Sequence, residues 1–206
     1  MSGGKPDERE RWTQRYQAPG YLFGTEPNAF LKSQAHLLRK GQTALAIADG
    51  EGRNGVFLAE QGLDVLSLDF SDVALEKARA LAKSRGVALR VQQADMTQWV
   101  WQSNAFDVVA GIFIQFATPP QRTAMFAGIK KTLKPGGLLL LQGYGPKQLE
   151  YKTGGPSELD RLYTRALLEE AFSDFSSLDI REHDSVLKEG DHHVGMSALV
   201  DLVGKK

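Results

Sequence analysis

The stretch ALAIADGEGRNG, residues 44–55, decides the fold of this chain. A strand-sized apolar run leads into a loop that contains Gly50 and Gly52, and a segment with helical spacing begins at Arg53. Glycines in such a loop let the backbone turn sharply and let a ligand approach it closely. Because doubly wound sheets bind ligands at the carboxyl ends of their strands, the loop is a candidate ligand site. An ordinary tight turn without a ligand is the alternative for a glycine-rich loop taken alone.

Short apolar runs and helical segments alternate from this stretch onward. After a strand over residues 43–48, the pattern predicts strands at 64–69, 88–93, 106–114 and 138–142. Near-continuous apolar strands are typical of a sheet that is covered on both faces. Strand–helix alternation requires parallel pairing through right-handed crossovers. We therefore predict an α/β fold with a Rossmann-like, doubly wound, seven-stranded sheet that is mostly parallel.

The two ends of the chain depart from this alternation. Pro27 suits the first turn of a helix whose apolar stripe runs on to Leu38. Towards the C-terminus, a predicted helix over residues 157–172 precedes two strands, at about 178–186 and 196–203. Only a short connection joins these strands, so they must be antiparallel. A terminal antiparallel strand is not a feature of plain NAD-binding domains.

The composition indicates a small-molecule partner. Lys and Arg together number 25, as do Asp and Glu, and a formal net charge of zero argues against nucleic acid. The chain has no cysteine, which excludes disulfides, thiolate metal sites and cysteine nucleophiles. The polar stretch at 1–17 contains no apolar segment for export, and no apolar run approaches the length of a membrane span. We expect a cytoplasmic protein without a membrane partner, whose oligomeric state the sequence does not indicate.

Two acidic residues follow the second and third predicted strands. Asp69 lies 19 positions after Gly50 and can accept both hydroxyls of a ribose, or it can cap the next helix. Since Ser71 can cap that helix itself, we favour the ribose role. Asp95 can accept from an adenine amino group while Met96 packs on the ring. A turn aspartate beside a core methionine is an equal alternative.

In order and spacing, these segments resemble the class I S-adenosylmethionine-dependent methyltransferases. Within that class they are similar to the small tellurite-resistance-like and thiopurine-methyltransferase-like group. The resemblance is carried by ALAIADGEGRNG (44–55), VLSLDFS (65–71), ADM (94–96), FDVV (106–109) and LKPGG (133–137). It implies S-adenosylmethionine as the cofactor, S-adenosylhomocysteine as the product, and methylation of an unidentified small molecule. Soft thiol or chalcogen acceptors are favoured by family analogy alone.

The resemblance also implies a domain organisation and a set of cofactor contacts. We expect a single domain, 1–206, with an N-terminal lid or helical segment (1–42), a cofactor-binding core (43–142), and a substrate-side loop, helix and C-terminal β-hairpin (143–206). The implied cofactor-binding residues are Asp49, Gly50, Glu51, Gly52, Asp69, Phe70, Asp95, Met96 and Phe113.

Two residues depart from the family pattern. Ala46 stands where the first strand usually carries an acid, and Ala48 stands at the first loop glycine. Asp49 or Glu51 is expected to replace the missing acid as the partner of the cofactor's amino group. Acids at these positions repel a pyrophosphate, which disfavours a nicotinamide cofactor.

The residues on the acceptor side are less defined by the sequence. Aromatic residues expected to line the acceptor pocket or form its lid are Tyr16, Tyr21, Phe23 and Tyr151. The reaction dictates no acid or base, and the weak catalytic candidates are Gln115, Tyr144 and His193. Gln115 can instead satisfy backbone groups, and His193 can be a solvated turn residue.

Three further hypotheses concern metal and function. The pair His192-His193 lacks a third ligand at workable spacing, so we expect no metal. A non-catalytic S-adenosylmethionine-binding protein is the main alternative function. A nicotinamide-dependent oxidoreductase is a weaker one.

Overall fold

The computed structural model describes residues 8–190 and 193–206, with the Glu8 side chain left out. Seven strands form one sheet: β1 Thr43–Ile47, β2 Asp64–Asp69, β3 Arg90–Gln93, β4 Phe106–Ile112, β5 Leu133–Tyr144, β6 Ser177–Glu189 and β7 His193–Lys205. Their order is β3-β2-β1-β4-β5-β7-β6. Strands β1 to β5 pair in parallel, and β7 is antiparallel to both β5 and β6. The predicted doubly wound fold with an antiparallel C-terminal strand is confirmed.

Seven α-helices accompany the sheet in the described part of the chain. They are α1 Glu8–Tyr16, α2 Ala29–Ser33, α3 Arg53–Glu60, α4 Asp72–Ser84, α5 Pro119–Thr132, α6 Gln148–Tyr151 and α7 Arg165–Ala171. Local sequence starts several of them. The Ser71 hydroxyl accepts from the N–H of Ala74 and caps α4, as expected. Thr118 and Gln121 form a capping box ahead of α5.

Hydrophobic clusters cover both faces of the sheet. On one face, Leu45 and Ile47 pack with Phe126 of α5 and Phe172 beside α7. On the other, the alternate β1 residues Ala44 and Ala46 pack with residues of α2 and α3. Side chains of a strand alternate between faces, so a strand covered on both sides is apolar throughout. This double coverage leaves the carboxyl ends of the strands as the open edge where loops can form a site.

The predicted helix over 157–172 is confirmed only in its last part, α7 Arg165–Ala171, and is wrong before it. A short 3₁₀ turn, Leu159–Arg161, is followed by extended residues before α7 begins. The fully buried Tyr163 donates its backbone N–H to the carbonyl of Tyr144 at 2.9 Å. The Thr164 hydroxyl then accepts from Leu167 and caps α7. A continuous helix would withdraw the Tyr163 N–H from β5, so tertiary pairing overrides the helical pattern.

The predicted helix from Pro27 to Leu38 is also wrong in its bounds. Asn28 is the N-cap, because its side-chain oxygen accepts from the N–H of Leu31, and α2 ends at Ser33. A 3₁₀ turn, Ala35–Leu37, replaces the rest. The cap at position 28 matters for the site, since it fixes the Asn28 side chain beneath the C-terminal hairpin.

Candidate functional site

The loop after β1 makes a tight left-handed path. Ala48, Gly50 and Gly52 have φ values of +47°, +58° and +85°. Glycine adopts such angles without steric cost, whereas an alanine there is strained. Ala48 therefore has a backbone conformation that glycine adopts more readily than alanine does.

Asp69 ties this loop to the end of β2. Its carboxylate accepts from the backbone N–H groups of Gly50 and Ser71, each at 2.9 Å. Burial raises the pKa of Asp69 to about 6, against the opposing effect of these hydrogen bonds. Each carboxylate oxygen keeps a free lone pair. The group can therefore accept further donors while it holds the loop.

Two more acids lie in the loop, and both have partners. Asp49 accepts from the N–H of Gly55 at 3.0 Å and from the Ser67 hydroxyl at 2.8 Å, and burial raises its pKa to about 7. Glu51 accepts from the N–H of Leu22 at 2.6 Å and pairs with Lys77 at 2.7 Å. The loop and the end of β2 thus bring three carboxylates together, of which only Glu51 is paired with Lys77, and this favours a cationic ligand over a pyrophosphate.

Helix α1 lies over the residues expected to hold the nucleoside. Arg9 pairs with the carboxylate of Asp95 at 2.9 Å and stacks over the ring of Phe70 at 5.5 Å. The buried Tyr16 hydroxyl points at Gly50, where an added Cβ would lie only 2.8 Å from it. A groove of about 430 Å³ remains between α1 and Phe70. The structure therefore brings Tyr16, Phe70, Asp69 and Asp95 to one edge of the sheet.

Four rings form what we call the aromatic cluster: Phe23, Phe113, Tyr144 and His193. Ring centroids are 4.2 Å apart for Phe23 and His193, and 4.6 Å apart for Phe113 and His193. Phe113 also stacks on Tyr144 at 4.6 Å. Phe113 has a φ of +57°, the turn that follows β4. Ile47 at the end of β1 pairs with Gly111 of β4. The turn after β4 and the glycine-rich loop after β1 therefore begin next to each other, at the same edge of the sheet.

A buried ion pair lies behind the aromatic cluster. The Arg53 guanidinium meets the Glu189 carboxylate at 2.6 Å, and both side chains are 8% exposed. Glu189 also accepts from the Asn28 side-chain amide at 2.9 Å, and His193 Nδ1 lies 3.6 Å from it. Burial opposes ionisation, but His193 and Arg53 outweigh it and lower the pKa of Glu189 to about 2. Arg53 also lies 5.9 Å from the ring of Phe23, so it links the loop to the cluster.

Comparison with known proteins relates part of this chain to a protein family. Residues 44–137 match the family model described as a methyltransferase domain. Residues 44–137 therefore form a methyltransferase domain, and the fold is that of the class I S-adenosylmethionine-dependent methyltransferases. The cofactor of this class is S-adenosylmethionine.

Individual relatives agree with the methyltransferase domain. An uncharacterized methyltransferase of Synechocystis sp. is 31% identical over 107 residues, which cover 49% of this chain and 46% of the relative. A carboxy-S-adenosyl-L-methionine synthase of Hydrogenovibrio crunogenus is 31% identical over 126 residues, covering 54% and 50%. The chain thus spans about half the length of the curated relatives it matches. The structure of TehB from Haemophilus influenzae superposes with a TM-score of 0.73 at 15% identity, covering 96% of this chain and 66% of TehB. That likeness shows the fold.

Two aromatic residues expected on the acceptor side lie away from the aromatic cluster. Tyr21 packs against α3 and α4 and donates its hydroxyl to the carbonyl of Lys77. Tyr151 donates to the exposed Asp184. Met96, which was expected to pack on an adenine, is buried in the main core directly after Asp95.

Gln115 forms hydrogen bonds with backbone groups, which was the alternative to a catalytic role. Its side-chain amide donates to the carbonyl of Tyr144 at 2.9 Å, and its oxygen accepts from the N–H of the same residue. It thereby clamps the end of β5, on which Tyr144 lies.

The sequence analysis did not predict the buried group formed by Arg53, Glu189 and Asn28 beside the aromatic cluster. Arg53 follows the glycine-rich loop directly, and that adjacency was the one available signal. Glu189 lies 136 residues further along the chain, so only the fold brings the pair together. Among the described residues, no group of three or more His, Cys, Asp or Glu side chains could hold a metal. His192 of the His192-His193 pair lies outside those residues. No helix of the described part is long and apolar enough to cross a membrane.

Proposed function

We propose that this protein transfers the methyl group of S-adenosylmethionine to a small-molecule acceptor held against the aromatic cluster. The observation that carries this proposal is the position of Arg53. It begins α3 directly after the glycine-rich loop, yet it contacts Glu189 and Phe23 on the acceptor side. One side chain thus connects the cofactor loop with a ring cluster made of four predicted site residues.

The cofactor contacts in this proposal follow the strand ends. Gly50 and Gly52 line the methionine part, Asp69 accepts from the ribose, and Asp95 with Met96 faces the adenine. The acids of the loop support a cofactor that carries a sulfonium and an ammonium group, both positive. Asp49 and Glu51 already have partners, so the ammonium contact in this proposal uses their remaining lone pairs.

The protein's task in methyl transfer is mainly positional. Sulfur already activates the methyl carbon, so the chain must hold the acceptor atom in line and exclude water. Such positioning supplies on the order of 7–11 kcal/mol of barrier lowering. Phe113 and Tyr144 form an apolar wall, and the Phe23 segment closes over it through the Glu51–Leu22 hydrogen bond. A small thiol or chalcogen nucleophile fits a wall of this kind, as the family analogy suggests.

The proposal is tested by following formation of S-adenosylhomocysteine with a panel of small thiols, phenols and amines. We expect turnover of at least one acceptor by the wild-type protein and a large loss in the Phe113→Ala variant. Val100→Ala is the control, because Val100 is 80% exposed and belongs to none of the hydrophobic clusters of the described residues. Binding of S-adenosylmethionine without turnover of any acceptor would favour the non-catalytic binding protein.

A further inference from the structure

His193 occupies the centre of the aromatic cluster. It is the first residue of β7, and its ring contacts both Phe23 and Phe113. Its side chain is only 12% exposed, unlike that of a solvated turn histidine. The imidazole thus lies between the rings of Phe23 and Phe113, surroundings that suit a proton acceptor for a flat or slender substrate.

The carboxylate beside His193 is held in place. Glu189 accepts from the Arg53 guanidinium, the Asn28 amide and the backbone N–H of Ala29. Its Oε2 atom lies 3.6 Å from His193 Nδ1, which makes no hydrogen bond within the described part of the chain. Catalytic hydrogen bonds are commonly long in unliganded proteins and shorten when substrate binds. A fixed anion at this distance orients the ring and stabilises the imidazolium that forms when the ring takes a proton.

Two further polar atoms in this region lack partners. The Tyr144 hydroxyl and the Nη1 atom of Arg53 are buried and make no hydrogen bond to any described residue. Buried polar atoms normally find a partner. Both atoms belong to residues that contact the cluster or Glu189, so a polar group on the acceptor can satisfy them.

We propose that His193 is the general base of the reaction and that Glu189 is its positioning residue; this rests on the proposed function above. The acceptor's nucleophilic atom forms a bond to the methyl carbon while the carbon–sulfur bond of S-adenosylmethionine breaks. The proton of that atom passes to His193 Nε2. The products are the methylated acceptor, neutral S-adenosylhomocysteine and an imidazolium paired with Glu189. The acceptors are small molecules that bear a proton on the attacking atom.

The charge environment of His193 supports this role. Burial lowers the pKa of His193, Glu189 raises it, and Arg53 and Arg15 lower it further, so the net shift is downward. Tyr144 is the other titratable group in ring contact with it. The imidazole is therefore neutral at pH 7, the form that accepts a proton.

The test uses the wild-type protein and nuclear magnetic resonance. The pKa of the His193 ring is measured in the complexes with S-adenosylmethionine and with S-adenosylhomocysteine, which differ by one positive charge on sulfur. If His193 faces the reacting centre, the sulfonium should lower its pKa by about 0.5 or more relative to the S-adenosylhomocysteine complex. His36, an exposed residue whose ring contacts the carbonyl of Ser33, is the internal control, and its ring signals should not differ between the two complexes.

The kinetic arm compares His193→Gln with the wild type on two thiol probes. Benzyl mercaptan is protonated at neutral pH and needs a base, whereas 4-nitrothiophenol is already ionised. The variant should lose about 10²–10⁴-fold with the first and far less with the second. Equal losses would indicate a structural role and overturn the proposal. Equal pKa values of His193 in the complexes with S-adenosylmethionine and S-adenosylhomocysteine would also overturn the proposal that His193 is the base. If calorimetry detects no binding of S-adenosylmethionine at all, the proposed function itself is overturned.

Discussion

The guanidinium of Arg9 lies 2.9 Å from the carboxylate of Asp95. Arg9 comes from α1, and Asp95 follows β3, at the place where the adenine is expected. The pair also covers the ring of Phe70. Under the proposed placement of the adenine, helix α1 competes with the nucleoside for these groups and must shift or share them when the cofactor binds.

Replacing Arg9 with alanine should release this competition. The pair is partly exposed, so its loss should change the free energy of unfolding by at most about 1 kcal/mol. S-adenosylhomocysteine should bind up to about 5-fold more tightly, since Asp95 is freed. Arg79→Ala removes another exposed ion pair, with Glu76, and should leave affinity unchanged. Weaker binding by Arg9→Ala in calorimetry would mean that Arg9 itself holds the cofactor.

Ala48 is strained in its left-handed conformation, with a φ of +47°. Ala48→Gly should relieve about 1–2 kcal/mol of strain and lose part of it to the greater entropy of the unfolded glycine. We expect a net gain of about 0.5–1 kcal/mol in the free energy of unfolding, measured with denaturant. The buried strand residue Ala44 is the control, because Ala44→Gly has no strain to relieve and should destabilise. A loss of stability in Ala48→Gly would show that the methyl group contributes more than the strain costs.

Gly190 follows β6 and packs against the backbone of Phe23 and Gly24. An added Cβ would lie 2.5 Å from backbone atoms of Phe23, and the residue has a φ of +59°. Gly86 has a similar φ of +68° but open space around it. Gly190→Ala should therefore destabilise the protein by about 1–3 kcal/mol more than Gly86→Ala. It should also speed proteolysis of residues 17–26. Equal effects of the two substitutions would show that the segments are not in contact in solution.

The buried carboxyl of Asp49 should make the free energy of unfolding depend on pH. Burial raises its pKa to about 7 in the folded protein, above the value of about 4 in an unfolded chain. The folded state then holds the proton more tightly, so the contribution of Asp49 to stability falls as the pH rises from 4 to 7. Asp49→Asn removes this titration, and its stability relative to the wild type should improve by about 2 kcal/mol or more across that range. A constant difference between the two proteins from pH 4 to 7 would contradict this assignment.

Local signals predicted much of the scaffold. The bounds of β2 at Asp64–Asp69 and the cap at Ser71 follow from residues adjacent in sequence, and the structure has both. The helix break at Tyr163 could not be predicted, because it depends on a hydrogen bond to β5. The Arg53–Glu189 pair joins a loop to a distant hairpin, and the sequence offers no signal for that distance. The predicted roles of Asp69, Asp95 and His193 remain predictions, although the structure places them at one edge of the sheet.

The central claim is that the edge formed by Gly50, Asp69 and Asp95 binds S-adenosylmethionine, and calorimetric titration tests it most directly. S-adenosylmethionine, S-adenosylhomocysteine and NAD are titrated in parallel into the wild-type protein and into Asp69→Ala, with circular dichroism to verify folding. We predict micromolar binding of the first two ligands, none of NAD, and a roughly 10- to 150-fold weaker affinity in the variant, as expected for lost charge-assisted hydrogen bonds. Binding of NAD alone, or unchanged affinity in a folded Asp69→Ala, would contradict the account.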